Sequence, residues 1–368
     1  FAQRPRSFHE MLERAVRERP EADAVVFQGR RWSYREFDDE VGRLAAGLAG
    51  QGIGPGDRVA LLLSNRPEFM TALYATQRLG AITVPVSIRE QRPGLEYIFG
   101  HCGAKALLFD ADLEGRLPDP ARTPALALRV RLPVNPGAPA SSHSAEAPPG
   151  EGEPAVYPAA AIGYDALPGN ERVSAAAPVA EEDCAVILYT SGTTGRPKGA
   201  MLTHLGIVHS SMHFALCMGL GAADRSVLAV PASHVTGLIA NISATVSVGG
   251  ANLLMAAFRA GDFLALVARE RATATILVPA MYNLCLLHPA FEGADLASWR
   301  IGGFGGAPMP VSTIDALLRK LPRLQLINAY GATETTSPVT MMPARLTREH
   351  GDSVGLRLPC ADVVVVDD

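Results

Sequence analysis

Between residues 7 and 110 the apolar positions repeatedly switch period, from spacings of three and four to short unbroken runs. Phe37, Val41, Leu44 and Leu48 fall on one helical face, and Gly52 follows as a stop. Ser33-Tyr-Arg-Glu36 stands ahead of that face as a capping box, with a hydroxyl for one free amide and a carboxylate for another. Arg58-Val-Ala-Leu-Leu-Leu63 reads as a strand covered on both sides. Pro67 suits the first turn of a second helix ending near Gly80, and further strands are predicted at 82–86 and 104–109. Strands alternating with helices imply parallel βαβ units.

The rhythm breaks over 131–180, where nine prolines sit among Ala, Gly, Ser and Glu. Such a stretch offers little burial against its ordering entropy, so a partly disordered surface excursion is expected at about 112–182. Strand patterns resume at Cys184-Ala-Val-Ile-Leu-Tyr189 and recur at 226–230, 251–255, 274–278, 300–304 and 324–329. Residues 226–258 carry no Asp, Glu, Lys or Arg. Pro231, His234, Asn241 and the Gly249-Gly250 pair interrupt them, which favours strand, helix and strand over a transmembrane span. The end of the sequence, Ala361-Asp-Val-Val-Val-Val-Asp-Asp368, reads as a strand cut off inside a longer protein, and the opening Phe1 points the same way.

Composition narrows the class. The chain has 368 residues, 48% hydrophobic and 19% charged, enough for two or three cored subdomains. Its formal charge of −4 argues against nucleic acid as the main partner, because neutralising phosphates needs a basic surplus. The five cysteines form no CxxC pair, which argues against a zinc module or disulfide scaffold and suits a reducing, cytoplasmic setting. Residues 1–20 hold too many charges for a secretory leader.

The sharpest chemical signal is Tyr189-Thr-Ser-Gly-Thr-Thr-Gly-Arg-Pro-Lys-Gly199. A predicted strand runs into a loop of Thr190, Ser191, Gly192, Thr193, Thr194 and Gly195, with Lys198 beyond it and a helix expected next. Glycines let backbone amides approach an anion, hydroxyls add donors, and the lysine supplies a point charge, a composition suited to a polyphosphate. The spacing is not that of a Walker A loop. Downstream, Tyr330 offers an aromatic face for a purine, and Gly305 and Gly306 would let backbone lie flat against a ring. Thr333 can donate to a phosphate oxygen, and Glu334 is a hard ligand for Mg2+ bound with phosphates. On these residues alone, a core Tyr330 and a surface ion-paired Glu334 remain open. His209 and His213 stand at i, i+4 without a third metal ligand, and are read as ordinary helix histidines. His234 follows a strand in a loop, where capping a helix start is the plain alternative to a role in a site.

Together these segments resemble the acyl-adenylate-forming superfamily, which includes acyl- and aryl-CoA synthetases, luciferases and nonribosomal peptide adenylation domains. The glycine-rich stretch resembles its phosphate loop, and Asn328-Ala-Tyr-Gly-Ala-Thr-Glu334 its Tyr-Gly-x-Thr-Glu motif. Gly305-Gly-Ala-Pro308 is similar to its adenine-facing loop, and Pro231-Ala-Ser-His-Val-Thr-Gly237 and Trp32 to Pro85 follow in the family's order. The resemblance implies the large α/β N-terminal domain of an acyl-CoA synthetase, with two stacked subdomains of mainly parallel sheets and the start of a small β-barrel. The corresponding boundaries are 1–182 (with the excursion), 183–345 carrying the phosphate loop, and 346–368.

It further implies ATP, Mg2+ and coenzyme A as cofactors and co-substrates, and activation of a carboxylic acid as acyl-AMP before thioester transfer, as in an acid–thiol ligase of fatty-acid metabolism. Lys198, His234, Thr333 and Glu334 would be catalytic. Gly305, Gly306, Ala307, Pro308, Asn328, Ala329, Tyr330, Gly331 and Thr333 would hold the nucleotide with the phosphate loop, and Glu334 would hold the metal. Amino-acid-activating relatives place an Asp near the His234 position; Ser233-His234-Val235 lacks one, which favours a fatty or aryl acid. The family's ribose-binding Thr-Gly-Asp and C-terminal catalytic Lys do not occur before Asp368, so weak or no catalysis is expected of this chain by itself. An acyl carrier protein as acceptor, or a non-catalytic nucleotide-binding domain, stays open as an alternative.

Overall fold

The computed structural model describes residues 3–138, 161–169, 171–190 and 196–366. In chain order the strands are β1 (Asp23–Phe27), β2 (Arg30–Ser33), β3 (Arg58–Leu62), β4 (Ile82–Pro85), β5 (Ala106–Asp110), β6 (Leu128–Leu132), β7 (Ile162–Gly163), β8 (Cys184–Thr190), β9 (Lys198–Thr203), β10 (Arg225–Leu228), β11 (Ala251–Leu254), β12 (Ala274–Leu277), β13 (Ile301–Phe304), β14 (Gln325–Tyr330), β15 (Thr340–Met341) and β16 (Leu356–Arg357). The helices are α1 (Phe8–Glu18), α2 (Tyr34–Gly50), α3 (Pro67–Arg78), α4 (Arg92–Cys102), α5 (His204–Met218), α6 (Ala244–Ser247), α7 (Ala260–Glu270), α8 (Pro279–Leu287) and α9 (Val311–Lys320). An eight-residue π-helical run, Thr236–Ser243, leads directly into α6.

The chain divides into two α/β units, one of Phe1–Phe37 with His204–Asp368, the other of Asp38–Thr203. This differs from the expected 1–182, 183–345 and 346–368. Strand β1 pairs in parallel with β11, so the N-terminal segment joins the unit built by the second half. Strand β8 pairs with β4, so the hairpin carrying the glycine-rich loop belongs to the other unit.

In the unit of Asp38–Thr203 the described strands run β7-β6-β5-β3-β4-β8-β9. All neighbours are parallel except the β8–β9 hairpin at one edge. Strand β3 is apolar from Val59 onward because both faces are covered there, and Val59, Ala60 and Leu61 are fully buried. A buried polar cluster ties the carboxyl ends of β3 and β5. Asp110 accepts from the Ser64 N–H (2.7 Å), the Ser64 hydroxyl (2.6 Å) and Arg66 Nη1 (2.6 Å). Arg66 also donates to the Pro133 carbonyl and pairs with Glu68.

Much of the expected excursion is part of this unit. Leu128, Val130 and Leu132 of β6 are buried, and Leu113 and Leu117 join the core. Gly47 of α2 meets the Leu167 carbonyl where any Cβ would overlap it. Backbone bonds run from Gly169 to Arg43 and from Val173 to Gly42. The apolar residues of this stretch are few but spaced to meet a sheet edge and a helix, which a proline count over the whole segment obscures. Residues 139–160 lie outside the described residues.

The other unit holds a sheet with described strand order β16-β15-β14-β13-β12-β10-β11-β1-β2. Its strands from β14 to β1 are parallel, and the remaining pairings are antiparallel. Trp299 packs on Phe263 edge to face (5.3 Å) and on Tyr282 face to face (5.8 Å). Tyr282 donates to the Gly303 carbonyl (2.9 Å) and Trp299 to that of Ile301 (3.0 Å), so buried aromatic rings also fix the backbone of β13. The strand expected over 361–368 is absent from its described part: Val363 to Val366 lie exposed and in no ladder. Among the described residues no strand pairs with them, and β-propensity alone does not make a strand. Among the described residues no helix is long and apolar enough to cross a membrane.

Candidate functional site

The parallel strands β13 and β14 are neighbours in register, with Phe304 opposite Asn328, so the segments leaving their carboxyl ends emerge side by side. Gly305 follows β13 directly, where a Cβ would overlap the Ala329 carbonyl; only glycine fits without moving β14. Gly306 takes a φ of +76° and turns the chain away. The result is a cleft of about 440 Å3. Gly306, Ala307 and Pro308 line one side, Asn328, Ala329, Tyr330 and Gly331 another. The open carboxyl end of a parallel sheet is where α/β folds usually take ligands.

Tyr330 is 52% exposed, so it is not a core residue and its ring is available. Thr333 and Glu334 lie in the 3-10 turn Thr333–Thr335, just after the strand, and Glu334 is exposed. The cleft has a further wall that sequence reasoning missed, Gly351 to Val354. Asn328 Nδ2 donates to the Ser353 carbonyl (3.1 Å) and Thr340 Oγ1 to that of Val354 (2.7 Å), fixing this wall against β14 and β15. Its available signal was Gly351-Asp-Ser-Val-Gly355, polar residues between two glycines; Gly355 takes a φ of +93° against Met341.

His234 makes the capping contact. Its Nδ1 accepts the Thr236 N–H (3.2 Å) at the start of the π-helical run. That contact assigns the proton of the neutral ring to Nε2, leaving a donor on an exposed edge. Desolvation pushes the imidazole below its usual range and favours that neutral form. His209 and His213 stand ring to ring at 6.2 Å; burial first, then His209, pushes His213 down. Among the described residues no group of three or more His, Cys, Asp or Glu is arranged to hold a metal. A single exposed carboxylate beside hydroxyls offers too few oxygens to hold a hard cation such as Mg2+ unless a bound phosphate supplies the others.

The glycine-rich loop is placed otherwise than expected. Strands β8 and β9 form an antiparallel hairpin, with Thr190 opposite Lys198 at its tip. The loop therefore leads from strand to strand, and α5 begins only at His204. In place of the helix expected directly after the loop, residues 198–203 add an edge strand to β8. Ser191, Gly192, Thr193, Thr194 and Gly195 lie outside the described residues. Lys198 is exposed at the start of β9.

A profile of the family described as AMP-binding enzyme matches residues 12–368. The chain belongs to that family. Among curated relatives of this AMP-binding chain, a feruloyl-CoA synthase from Amycolatopsis sp is 33% identical over 93% of the chain and 62% of the relative. The putative acyl-CoA synthetase YngI of Bacillus subtilis (strain 168) is 30% identical over 97% and 66%. The chain thus spans roughly two thirds of the length of these relatives. The N-terminal domain of FACL13 from Mycobacterium tuberculosis superposes with a TM-score of 0.78 at 26% identity, covering 96% of this chain and 82% of that one. An anthranilate CoA ligase, AuaEII, in complex with anthranoyl-AMP, shares the fold with a TM-score of 0.84 at 23% identity. The expected α/β architecture of an acyl-CoA ligase N-terminal domain is therefore the observed one, and the curated homologues are acyl- and aryl-CoA ligases.

Proposed function

We propose that the protein carrying this chain activates a carboxylic acid with ATP as acyl-AMP and transfers the acyl group to coenzyme A. The cleft at the paired ends of β13 and β14 carries this reading, because it joins a free aromatic face to a backbone surface that only glycine permits. Tyr330 stacks on the adenine, Gly305 to Pro308 lie along the ring, and Thr333 donates to the α-phosphate. Lys198 and the loop before it neutralise the leaving pyrophosphate, and Glu334 holds Mg2+ bound to the nucleotide. The neutral Nε2–H of His234 orients the attacking carboxylate. Acyl-AMP formation needs positioning and charge neutralisation more than a covalent enzyme intermediate, so no nucleophilic Ser or Cys is invoked.

The acid is aryl or fatty. Ser233-His234-Val235 offers no carboxylate to an ammonium, and apolar residues follow, with Leu238, Ile239 and Ile242 buried. An uncompensated buried charge costs about 3–5 kcal/mol, which sets the discrimination against α-amino acids at no less than on the order of 10²-fold. The test is consumption of the CoA thiol by the intact protein with ATP, Mg2+ and a panel of acids. Aryl or fatty acids are expected to support it and their α-amino analogues not. Equal rates with amino acids would overturn the substrate assignment.

A further inference from the structure

The tip of the β8–β9 hairpin has little ladder to hold it. Among the described strands β9 is the edge of its sheet and pairs with β8, and Thr190–Lys198 is the last registered pair before the loop. A loop that grips phosphates needs its two ends held at a fixed spacing. Two contacts with helix α4 meet that need, one from each side of the loop.

On the β8 side, Tyr189 lies opposite Gly199, and its ring crosses the hairpin over that glycine; a Cβ at Gly199 would come within 3.3 Å of the ring and 2.8 Å of Ile187 Cγ2. The Tyr189 hydroxyl shares a 2.7 Å hydrogen bond with His101 Nδ1 in the last turn of α4. On the β9 side, the Arg196 guanidinium stands 5.9 Å above the ring of Tyr97. Tyr97 and His101 are i, i+4 on α4 and stack at 5.2 Å, 17° from parallel. Tyr97, Cys102, Ile187 and Tyr189 all pack against one buried cluster that contains Leu95, Ile98 and Phe99 of α4. Both arms of the loop thus rest on one aromatic surface anchored in the core.

We infer that α4 is the positioning element of the phosphate-binding hairpin, with His101 holding Tyr189, and through it the Thr190–Lys198 base, in the register that receives the β- and γ-phosphates. This rests on the proposed function. His101 touches no reacting atom, so it acts through Tyr189. Losing one such bond corresponds to roughly a three- to tenfold change in an equilibrium constant.

The test measures Mg·ATP and AMP binding to the intact protein by calorimetry, with thermal midpoints, for the parent, His101→Phe, His101→Asn and Tyr189→Phe. AMP carries no β- or γ-phosphate and serves as the internal reference. His101→Phe keeps the stack on Tyr97 and removes the hydrogen bond; His101→Asn places a polar atom near the Nδ1 position. The expected result is a three- to tenfold loss of Mg·ATP affinity in His101→Phe and Tyr189→Phe, unchanged AMP affinity, and recovery in His101→Asn. An unchanged ATP-to-AMP ratio in His101→Phe overturns the inference and leaves the proposed function intact. So does a parallel fall of both affinities with a lowered thermal midpoint, which marks a merely structural role. A parent protein that binds neither nucleotide overturns the functional reading itself.

Discussion

Lys198→Ala slows adenylation by the intact protein on the order of 10²–10³-fold, the usual cost of removing one preorganised electrostatic stabiliser. The side chain stands at the first position of β9, next to the loop, and is exposed. The substitution therefore deletes a charge without opening a cavity, and the thermal midpoint should hardly move. Pyrophosphate release in a single turnover, at low and at saturating ATP, separates the outcomes. A deficit that persists at saturation places the charge in the transition state, whereas one abolished by more ATP confines Lys198 to ground-state binding. Unchanged release at both concentrations removes Lys198 from the mechanism.

Asp110→Ala has the largest expected effect on stability. Both Asp110 and Arg66 are buried, and the carboxylate also takes the Ser64 N–H and hydroxyl. Removing it takes from buried Arg66 one of its two carboxylates and leaves the Ser64 amide without its acceptor, a loss of about 3 kcal/mol, at the lower end for breaking an interior ion pair because Glu68 remains. Asp110→Asn keeps the shape and the acceptor oxygen while losing the charge, and should cost less. Urea unfolding of the two variants checks this order. A loss below about 1 kcal/mol for Asp110→Ala would show that water or Glu68 compensates Arg66.

What was legible in the sequence was mostly local. The Ser33–Glu36 box forms as its residues dictate: Glu36 Oε2 accepts the Ser33 N–H (2.8 Å) and Ser33 Oγ accepts the Glu36 N–H (3.2 Å). Phe37, Val41, Leu44 and Leu48 are buried on one face of α2, and β3, β4, β5 and β10 to β14 lie where apolar runs placed them. Partnership was not legible. Strand β1 is short, and its place beside β11 depends on a pairing more than two hundred residues apart in sequence. Strand β9 is an edge strand of Lys, Gly, Ala, Met, Leu and Thr, with no marked alternation, that exists because β8 offers it a ladder.

The candidate site divides in the same way. Gly305, Tyr330 and their neighbours announce themselves by residue type, since a steric demand or an exposed ring is a property of the residue. The wall at Gly351 to Val354 does not, because it is made by Asn328 and Thr340 binding backbone carbonyls of a distant segment. His234 shows a different limit: residue type does not tell a capping histidine from one in a site, and here the capping contact uses Nδ1 and leaves the opposite edge of the ring for the proposed role.

The central claim is acid-dependent adenylate formation, and ATP–pyrophosphate exchange measures that step without the thiol acceptor. Intact protein is supplied with Mg·ATP, labelled pyrophosphate and one acid at a time. Label should enter ATP only when an aryl or fatty acid is present, and a hydrolysis-resistant acyl-AMP analogue should suppress the exchange. Exchange that proceeds without any acid, or none with every acid tried by a protein shown to bind Mg·ATP, would contradict the account.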